Sequence, residues 1–536
     1  MKGETGALRR RVSPAHADSE ADGPKACLES VGMTCAGLRW MLLTLAFPLT
    51  SAGAAAPSRD LTVFQKQFQT QHDKYLTQLG RYRTTFTTLE LPAFVAEVER
   101  LSTVPKATEL KGEPLPERIG IEPPEAVKGE ALSSWNALNG VRKKHAGDLF
   151  ALSNRVLKAG FASYAYNLVR EVVRHDPDHD KARRILGYVR YEGRWVSPLT
   201  ADMLRRGNVW DDRYGWLPKG HLEQYESGKE YLEPSAEHPS GAFVSAAKAA
   251  EVRRDFRKAW KIRTDHYEIR TNQSLEYAVE LGRRLEEYHE LFHEVFAGFF
   301  STPEQMQKLF SGTGNVAGAL RPKLINCYRT KAEYVDRLKD RFPQIDQTNG
   351  LYYTTDRTVH FFYEENEDSL ATLYHEASHQ IFYESQPNER AIAEDAHFWI
   401  IEGIACYMES FRQTDSGVSL GDPAYIRFEN ARQTLLVDRY YLPLREFSAM
   451  GSREFQHHPQ VGKNYSQASG LAAFFMHAED GAYREALVTH LAQLYSANAG
   501  LRARARSLDD LTGVRFEDLD RQYAEFLRDF RPESTR

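Results

Sequence analysis

The spacing of hydrophobic residues divides the chain into a helical first part and a mixed second part. From about residue 60 to 215, apolar residues recur mostly at helical spacing, most clearly over residues 145–173. A polar stretch containing Gly, Pro and Ser follows over residues 217–241, and we place a domain boundary there. The pattern therefore predicts a mostly helical accessory domain over residues 57–240, followed by a second domain over residues 250–536.

The second domain begins with strand patterns and ends with helical ones. Its first predicted elements are a strand (266–271), a long amphipathic helix (275–300), a second strand (324–328) and a hairpin that turns near Asp356 (350–363). From Ser369 to the C-terminus helical patterns dominate. We therefore predict the α+β class, in which a small mixed sheet is followed by a helical half.

One helical pair in the accessory domain resembles the tetratricopeptide type. Pro177 separates the helix over residues 145–173 from a second helical stretch that reaches Val189. A solenoid needs several such pairs at a fixed period, and we find no second copy. The sequence therefore predicts one TPR-like helical pair within an accessory domain.

The first 56 residues have the features of a signal peptide. Residues 40–49 form one short apolar run, Arg39 precedes it, and the small residues 51–56 follow it. A charge, an apolar core and an A-x-A-like site are typical of a secretory signal, although the polar n-region before this run is long. The run is too short to cross a bilayer, which takes about 20 residues. We predict an exported protein, periplasmic or secreted, whose mature chain has no integral membrane segment; the alternative is a buried helix of a cytosolic protein.

Composition and charge narrow the classes of function. The 536 residues are 42% hydrophobic and 27% charged, which excludes a disordered or collagen-like chain. Lys and Arg number 69 against 74 Asp and Glu, so the net charge of −5 offers no basic field and we expect no nucleic-acid partner. After signal removal only Cys327 and Cys406 remain, which permits at most one disulfide.

The pattern H-E-x-x-H occurs twice, at residues 289–293 and at residues 375–379. On a helix, positions i and i+4 share a face, so the two imidazoles can hold one metal ion. The Glu beside the first His can then take a proton from a metal-bound water. Because a chain with 18 histidines can match this pattern by chance, the surrounding sequence must decide between the copies.

The first copy has the context of a structural helix. His289 lies at the edge of an apolar stripe and His293 lies further out. The opposite face carries charged residues typical of a solvated surface: Arg283, Glu287, Glu290 and Glu294. No lone carboxylate in an apolar run follows this copy, and we interpret it as structural.

The second copy lies on a helix whose pattern indicates burial on both sides. Asp368 and Ser369 are candidate N-cap residues, and an apolar stripe follows. Phe382 and Tyr383 share the side of the two histidines, where a solvated face would not need aromatic residues. Buried imidazoles and a buried carboxylate need partners, and a metal ion would supply one.

A lone carboxylate downstream completes a candidate metal site. Residues 398–408 form an apolar run whose single charge is Glu402, and a buried charge is costly unless it is paired or binds metal. His375, His379 and Glu402 would leave one coordination position for water, as in catalytic rather than structural zinc sites. We predict one Zn2+ per chain held by these three residues; the alternative is that Glu402 pairs with an Arg or Lys.

These motifs resemble those of gluzincin-type zinc metallopeptidases, the thermolysin- and aminopeptidase-like zincins. The residues that carry the resemblance are His375, Glu376 and His379, followed by Glu402 in the context W-x-x-E-G-x-A-x-Y. The residues after about 250 are also similar to an uncharacterised family of exported bacterial proteins with this core. The resemblance implies a zincin-like catalytic domain that hydrolyses peptide bonds.

The chemistry assigns roles to further residues. Glu376 is the expected general base on the attacking water. Tyr465 is the expected oxyanion donor, because residues 464–471 resemble the segment that bears this tyrosine in aminopeptidase-type relatives. The weaker alternatives for this role are Tyr440, Tyr441, His457 and His458.

Two residues beyond Glu402 concern the orientation of the ligands. Glu409 shares the helical face of Glu402 and is a candidate to orient a ligating histidine. The i+4 position after Glu402 often carries a carboxylate in these families, and here it is Cys406. Because of this departure, the sequence does not identify the full set of residues that orient the metal ligands.

A missing motif bears on the kind of peptidase. Aminopeptidases of this type carry a G-x-M-E-N loop before the metal-binding helix, and this chain has none. We therefore favour an endopeptidase for a peptide or protein substrate, which would add as a strand to residues 358–363 if these form a sheet edge. The alternative is a non-catalytic zincin-fold protein that holds a protein partner through its helical N-terminal domain. A purely structural zinc site is a third hypothesis, against which the open coordination position argues.

Overall fold

The computed structural model of the protein describes residues 57–103, 110–112, 115, 127–236, 238–301, 303–312, 321–365, 367–385, 392–414 and 417–532. Over these residues it combines helices with five small sheets, which agrees with the predicted α+β class. The predicted signal peptide at residues 1–56 lies outside the described residues, so export remains a prediction.

The N-terminal part is helical. Its helices are Pro57–Thr88, Pro92–Ser102, Glu130–Lys158, Ala162–His175 and Asp180–Ile185. The predicted single helix over residues 145–173 is divided, because Gly160 adopts a left-handed φ of 97° and ends the helix there. The N–H groups of Gly160 and Phe161 then bond back to Leu157 and Val156, which satisfies two carbonyls of the last turn.

Buried charges join these helices to the second part of the chain. Arg170, whose side chain is 9% exposed, pairs with Glu290 at 2.5 Å and with Glu294 at 3.0 Å. Glu485 accepts two backbone N–H groups from the first turn of the helix Ala162–His175, at 2.9 and 3.2 Å. The face of Glu290 and Glu294 that we predicted to be solvated is therefore partly covered by the N-terminal helices.

Three hairpin–helix units follow in tandem, a repeat that the sequence analysis did not find. Each unit is a two-stranded antiparallel hairpin followed by a short helix. The hairpins are Val189–Tyr191 with Arg194–Val196, Asn208–Asp211 with Gly215–Pro218, and Lys229–Leu232 with Ala242–Ser245, and the helices are Pro198–Arg205, Leu222–Glu226 and Ala246–Arg253. A left-handed glycine precedes each unit, at Gly187, Gly207 and Gly228. The turn between the strands of the third hairpin is longer than the other two, which hides the regular spacing of the units in the sequence. The predicted domain boundary at residues 217–241 falls inside the second and third units.

The largest sheet has five strands. In spatial order they are Gly350–Tyr353, Thr358–Phe362, Lys323–Tyr328, Tyr267–Thr271 and Trp260–Arg263. The two central pairings are parallel and the two outer ones antiparallel. The prediction that residues 358–363 form a sheet edge is wrong, because Thr358–Phe362 pairs on both sides and its hairpin partner Gly350–Tyr353 is the terminal strand.

Helices make up most of the remaining structure. They are Leu275–Val295, Ala297–Phe300, Pro303–Ser311, Lys331–Leu338, Glu367–Glu384, Phe398–Met408, Ile426–Arg432, Leu444–Ala449, Ser452–Gln456, Val461–Gly481, Arg484–Leu494, Ala499–Arg502, Leu508–Thr512 and Phe516–Asp529. A small antiparallel sheet joins Leu110–Gly112, Gly417–Leu420 and Arg412–Thr414. Across the described residues, no helix combines the length and apolar character that crossing a bilayer requires.

Candidate metal centre

The second H-E-x-x-H copy lies on the helix Glu367–Glu384, called the motif helix below. The helix begins at Glu367, so the predicted N-cap pair at residues 368 and 369 lies inside its first turn. Most of its apolar stripe, including Leu373 and Ala377, is buried in the main core, and Leu370 at its start is partly buried. A Cβ on Gly350 would lie 2.6 Å from Thr372 and 3.2 Å from Glu376, so this glycine lets the terminal strand approach the helix.

Glu402 lies on the helix Phe398–Met408, called the apolar helix below, and every residue of this helix is buried. Trp399 donates its indole N–H to Ser448 at 3.0 Å, and the hydroxyl of Tyr407 bonds to His477 at 2.8 Å. A Cβ on Gly403 would lie 2.5 Å from the carbonyl oxygen of Ala468. The helix Val461–Gly481, which contains Ala468, therefore crosses the apolar helix in close contact. The residues around Glu402 in the W-x-x-E-G-x-A-x-Y motif therefore fix the position of its carboxylate.

His375, His379 and Glu402 converge. The Glu402 Oε2 atom lies 3.5 Å from His375 Nε2 and 4.0 Å from His379 Nε2. One ligand atom from each residue lies within 4.8 Å of the others, and the two imidazole planes meet at 75°. Tetrahedral zinc with bonds of about 2.1 Å separates its ligand atoms by about 3.4 Å, so these three residues fit such an ion. The sequence left open that Glu402 pairs with an Arg or Lys. In the described residues its ion-pair partners are these two histidines.

The electrostatics of the site favour a positive charge. Burial alone would lower the pKa of His375, but its interactions with Cys406, Glu402 and Glu409 outweigh burial and raise that pKa. Burial alone would likewise raise the pKa of Glu402, but the two imidazoles hold it below its usual value. A cation between these groups would compensate the same buried negative charge.

Glu409 binds the second ring nitrogen of His375. Its Oε1 atom lies 2.8 Å from His375 Nδ1, which leaves Nε2 directed at Glu402. Arg427 donates two hydrogen bonds of 2.8 Å to the Glu409 carboxylate, and the Tyr425 hydroxyl donates a third at 3.0 Å. Burial raises the pKa of Glu409, but the bonds to His375 and Arg427 prevail and lower it to about 2.

Sequence reasoning identified Glu409 but missed Arg427 and Tyr425. Both lie in or beside the helix Ile426–Arg432, which follows the second strand of a small hairpin. No local pattern marks them, because their partner Glu409 lies 16 and 18 residues earlier, directly after the end of the apolar helix.

Both cysteines of the described chain are free and buried. Cys406 belongs to a second group that could hold a metal ion, with His375 and Glu409. This group shares His375 with the first and lies on its Nδ1 side, where Glu409 is bound. Burial raises the pKa of the Cys406 thiol. The disulfide that the sequence permitted is absent between these two residues.

Glu376 and Tyr465 complete the candidate site. The Glu376 Oε2 atom accepts the backbone N–H of Tyr352, on the terminal strand of the main sheet, at 2.7 Å. Tyr465 lies in the helix Val461–Gly481, close enough to Glu402 that each of the two groups shifts the pKa of the other. Burial and then the Glu402 carboxylate raise the pKa of Tyr465 well above its usual value, so its hydroxyl keeps its proton.

A second tyrosine, which sequence reasoning also missed, lies within electrostatic range of the same carboxylate. Tyr495 is buried, and the negative charge of Glu402 adds to burial in raising its pKa. The four weaker alternatives bond outside the site instead. Their partners are Asn464 for Tyr440, Asp520 for Tyr441, Arg453 for His457 and Gln460 for His458.

The first H-E-x-x-H copy brings its histidines to different partners. The His293 ring stacks on Phe300 at 3.7 Å, and Glu290 pairs with Arg170. The His289 ring stacks on His266 at 3.8 Å. The geometry at His293 and Glu290 therefore agrees with a structural role, whereas His289 joins a separate polar cluster.

Comparisons with protein families and with curated proteins identify no relative. No protein-family model matches the chain, and a search of curated proteins finds no significant match. The case for a function therefore rests on the residues of the site and their geometry.

Proposed function

We propose that the chain is a zinc-dependent peptide-bond hydrolase of the gluzincin type, acting as an endopeptidase. The observation that carries the proposal is the convergence of His375, His379 and Glu402 within 4.8 Å from two helices. Two imidazoles and one carboxylate form the donor set of catalytic zinc sites. When bound there, zinc would polarise the carbonyl of a peptide and lower the pKa of water.

Glu376 is the proposed general base. It follows His375 in the motif helix and is not one of the three converging ligands. The N–H of Tyr352 orients one of its carboxylate oxygens, at 2.7 Å. The carboxylate would take a proton from the attacking water and pass it to the leaving amine.

Tyr465 is the proposed donor to the carbonyl oxygen. Its hydroxyl remains protonated and lies within electrostatic range of Glu402 and Glu376, which is consistent with a position at the edge of the metal centre. As negative charge develops on the carbonyl oxygen, a neutral hydroxyl can donate a hydrogen bond to it.

The terminal strand supports a peptide as the substrate. The N–H of Tyr352 bonds to Glu376 rather than to the neighbouring strand, so the free edge of Gly350–Tyr353 faces the base. An extended peptide that pairs with this edge would pass beside Glu376. This edge takes the place of the one that we predicted from the sequence.

The decisive experiment compares wild type with Glu376→Gln on a broad peptide library, read by mass spectrometry. We expect the variant to keep its zinc and to lose about 10²- to 10⁴-fold in cleavage rate, because only the base is removed. Glu454→Gln, at an exposed glutamate, is the matched control and should cleave normally. Equal turnover by wild type and Glu376→Gln would reject the mechanism. Zinc-loaded wild type that cleaves no peptide would instead support the non-catalytic binding protein.

A further inference from the structure

We propose a second metal site in this protein, formed by His266, Glu286 and His289. One ligand atom from each residue lies within 4.8 Å of the other two. Two imidazoles and a carboxylate suit zinc and other borderline divalent cations such as Cu2+ and Ni2+. The site uses a histidine of the first H-E-x-x-H copy, which the proposed hydrolase chemistry does not use.

Two elements supply the three side chains. Glu286 and His289 lie at positions i and i+3 of the helix Leu275–Val295 and therefore share one face of it. His266 lies in the turn between the strands Trp260–Arg263 and Tyr267–Thr271. A bound ion would tie this hairpin of the main sheet to the helix.

The carboxylate of Glu286 is held in place by its neighbours. Its Oε1 atom accepts the Thr264 hydroxyl at 2.5 Å and the backbone N–H of His266 at 2.7 Å. Its Oε2 atom lies 2.6 Å from His266 Nδ1. Metal-binding carboxylates are typically oriented by such hydrogen bonds. The residues around Glu286 therefore prepare it for a cation as well as for a charged imidazole.

A second observation that points to a bound ion is the unpaired ring nitrogen of His289. The residue is 4% exposed, and its Nε2 atom has no hydrogen-bond partner among the described residues. A buried polar atom without a partner loses its interaction with water and gains nothing in exchange. Coordination to a metal ion would supply the missing interaction.

An ion can reach this site from solvent. The side chains of His266 and Glu286 are 34% and 25% exposed. The rings of His266 and His289 lie face to face at 3.8 Å, with 20° between their planes. One ring must therefore turn before both can direct a nitrogen at one ion. His266 is the ring that can turn, because it lies on a turn at the surface.

The test uses the full chain with His375→Ala and His379→Ala, which removes both other candidate groups found in the described residues. We expect this double variant to bind one equivalent of zinc, measured by equilibrium dialysis and elemental analysis. Adding His266→Ala should weaken zinc binding at least 10-fold, whereas adding His457→Ala, an exposed histidine elsewhere, should not. This outcome does not depend on whether the chain hydrolyses peptides.

Two further measurements separate a metal site from a simple His266–Glu286 ion pair. Zinc should raise the Tm of the double variant but not that of the triple variant with His266→Ala. Electron paramagnetic resonance of the Cu2+-loaded double variant should show coupling to two imidazole nitrogens. A folded double variant that takes up no zinc, or that binds zinc equally well after His266→Ala, would overturn the proposal.

Discussion

At the scale of single residues, the buried carboxylate of Glu402 dominates the site. It is 8% exposed within a helix of apolar residues, where an uncompensated charge would be strongly destabilising. His375 and His379 provide its compensation. The same carboxylate therefore lies with two imidazoles around a single point.

The hydroxyl of Tyr465 should affect turnover more than binding. We expect Tyr465→Phe to lower kcat by about 10²- to 10³-fold while zinc content and KM change little, because the donor is needed only as charge develops. Steady-state kinetics on a cleaved peptide would check this. Tyr440→Phe, whose hydroxyl bonds to Asn464, is the control. Unchanged kcat in Tyr465→Phe would assign the role to another group, with Tyr495 the first to test.

The clamp on Glu409 should control metal affinity. We expect Arg427→Ala to weaken zinc binding by about 10- to 100-fold, because Glu409 would lose the two bonds that orient it towards His375. Competition with a chromogenic chelator would measure the change. Arg445→Ala, at a side chain that is 64% exposed, should leave the affinity as it is. If both variants bind zinc like wild type, the clamp has no role in metal binding.

At the scale of elements, the crossing of two helices fixes the third ligand. The helix Val461–Gly481 passes so close to the apolar helix that a Cβ on Gly403 would meet the backbone of Ala468. Because Glu402 is the residue before Gly403, this contact sets the position of its carboxylate relative to the motif helix.

Gly403→Ala should therefore separate the two helices. We expect a loss of about 1–3 kcal/mol in the free energy of unfolding, together with weaker zinc binding, because backbone must move to admit the methyl group. Gly140→Ala is the control: Gly140 lies in the helix Glu130–Lys158 with no atom near its Cβ position, and alanine favours helices by up to about 1 kcal/mol. Urea unfolding of both variants would measure the difference, and equal stability would contradict the close crossing.

At the scale of the whole molecule, the N-terminal helices contain a buried group of imidazoles. His72, His145 and His175 come from three different helices and are each at most 5% exposed. The Tyr75 ring stacks on His145 at 4.0 Å. The charged side chains that act on this group include Asp73, Arg142 and Arg174. Burial is the main cause that lowers the pKa of each imidazole, and it brings that of His145 to about 4.

This group should make the N-terminal helices sensitive to acid. An unfolded histidine has a pKa of about 6.5, so the unfolded chain binds more protons than the folded one below that pH. The contribution of these neutral, buried imidazoles to the free energy of unfolding is therefore fully present above about pH 6.5. It falls as the pH approaches 4, by about 3 kcal/mol for His145. Urea midpoints at pH 7.5 and 4.5 should differ less in His145→Phe than in wild type or in the exposed-site control His457→Phe. An identical pH dependence in all three would contradict the burial of a neutral imidazole.

Local periodicity predicted four of the five strands of the main sheet and missed Trp260–Arg263, and it did not predict their arrangement. The strand expected over residues 266–271 is Tyr267–Thr271, and the one expected over residues 324–328 is Lys323–Tyr328. The hairpin was also confirmed, yet the strand assigned to the sheet edge proved to be internal. Strand alternation is a property of neighbouring residues, whereas strand order depends on pairings that no local pattern contains.

The sequence alone determined the spacing of His375, Glu376 and His379, because a helix places positions i and i+4 on one face whatever surrounds it. It also marked Glu402, since one charge in an apolar run stands out without any structure. Only the tertiary structure decided that these groups meet, that Arg427 holds Glu409, and that the His289 ring stacks on His266. These contacts join elements far apart in the chain, so they follow from packing and not from the spacing of neighbouring residues.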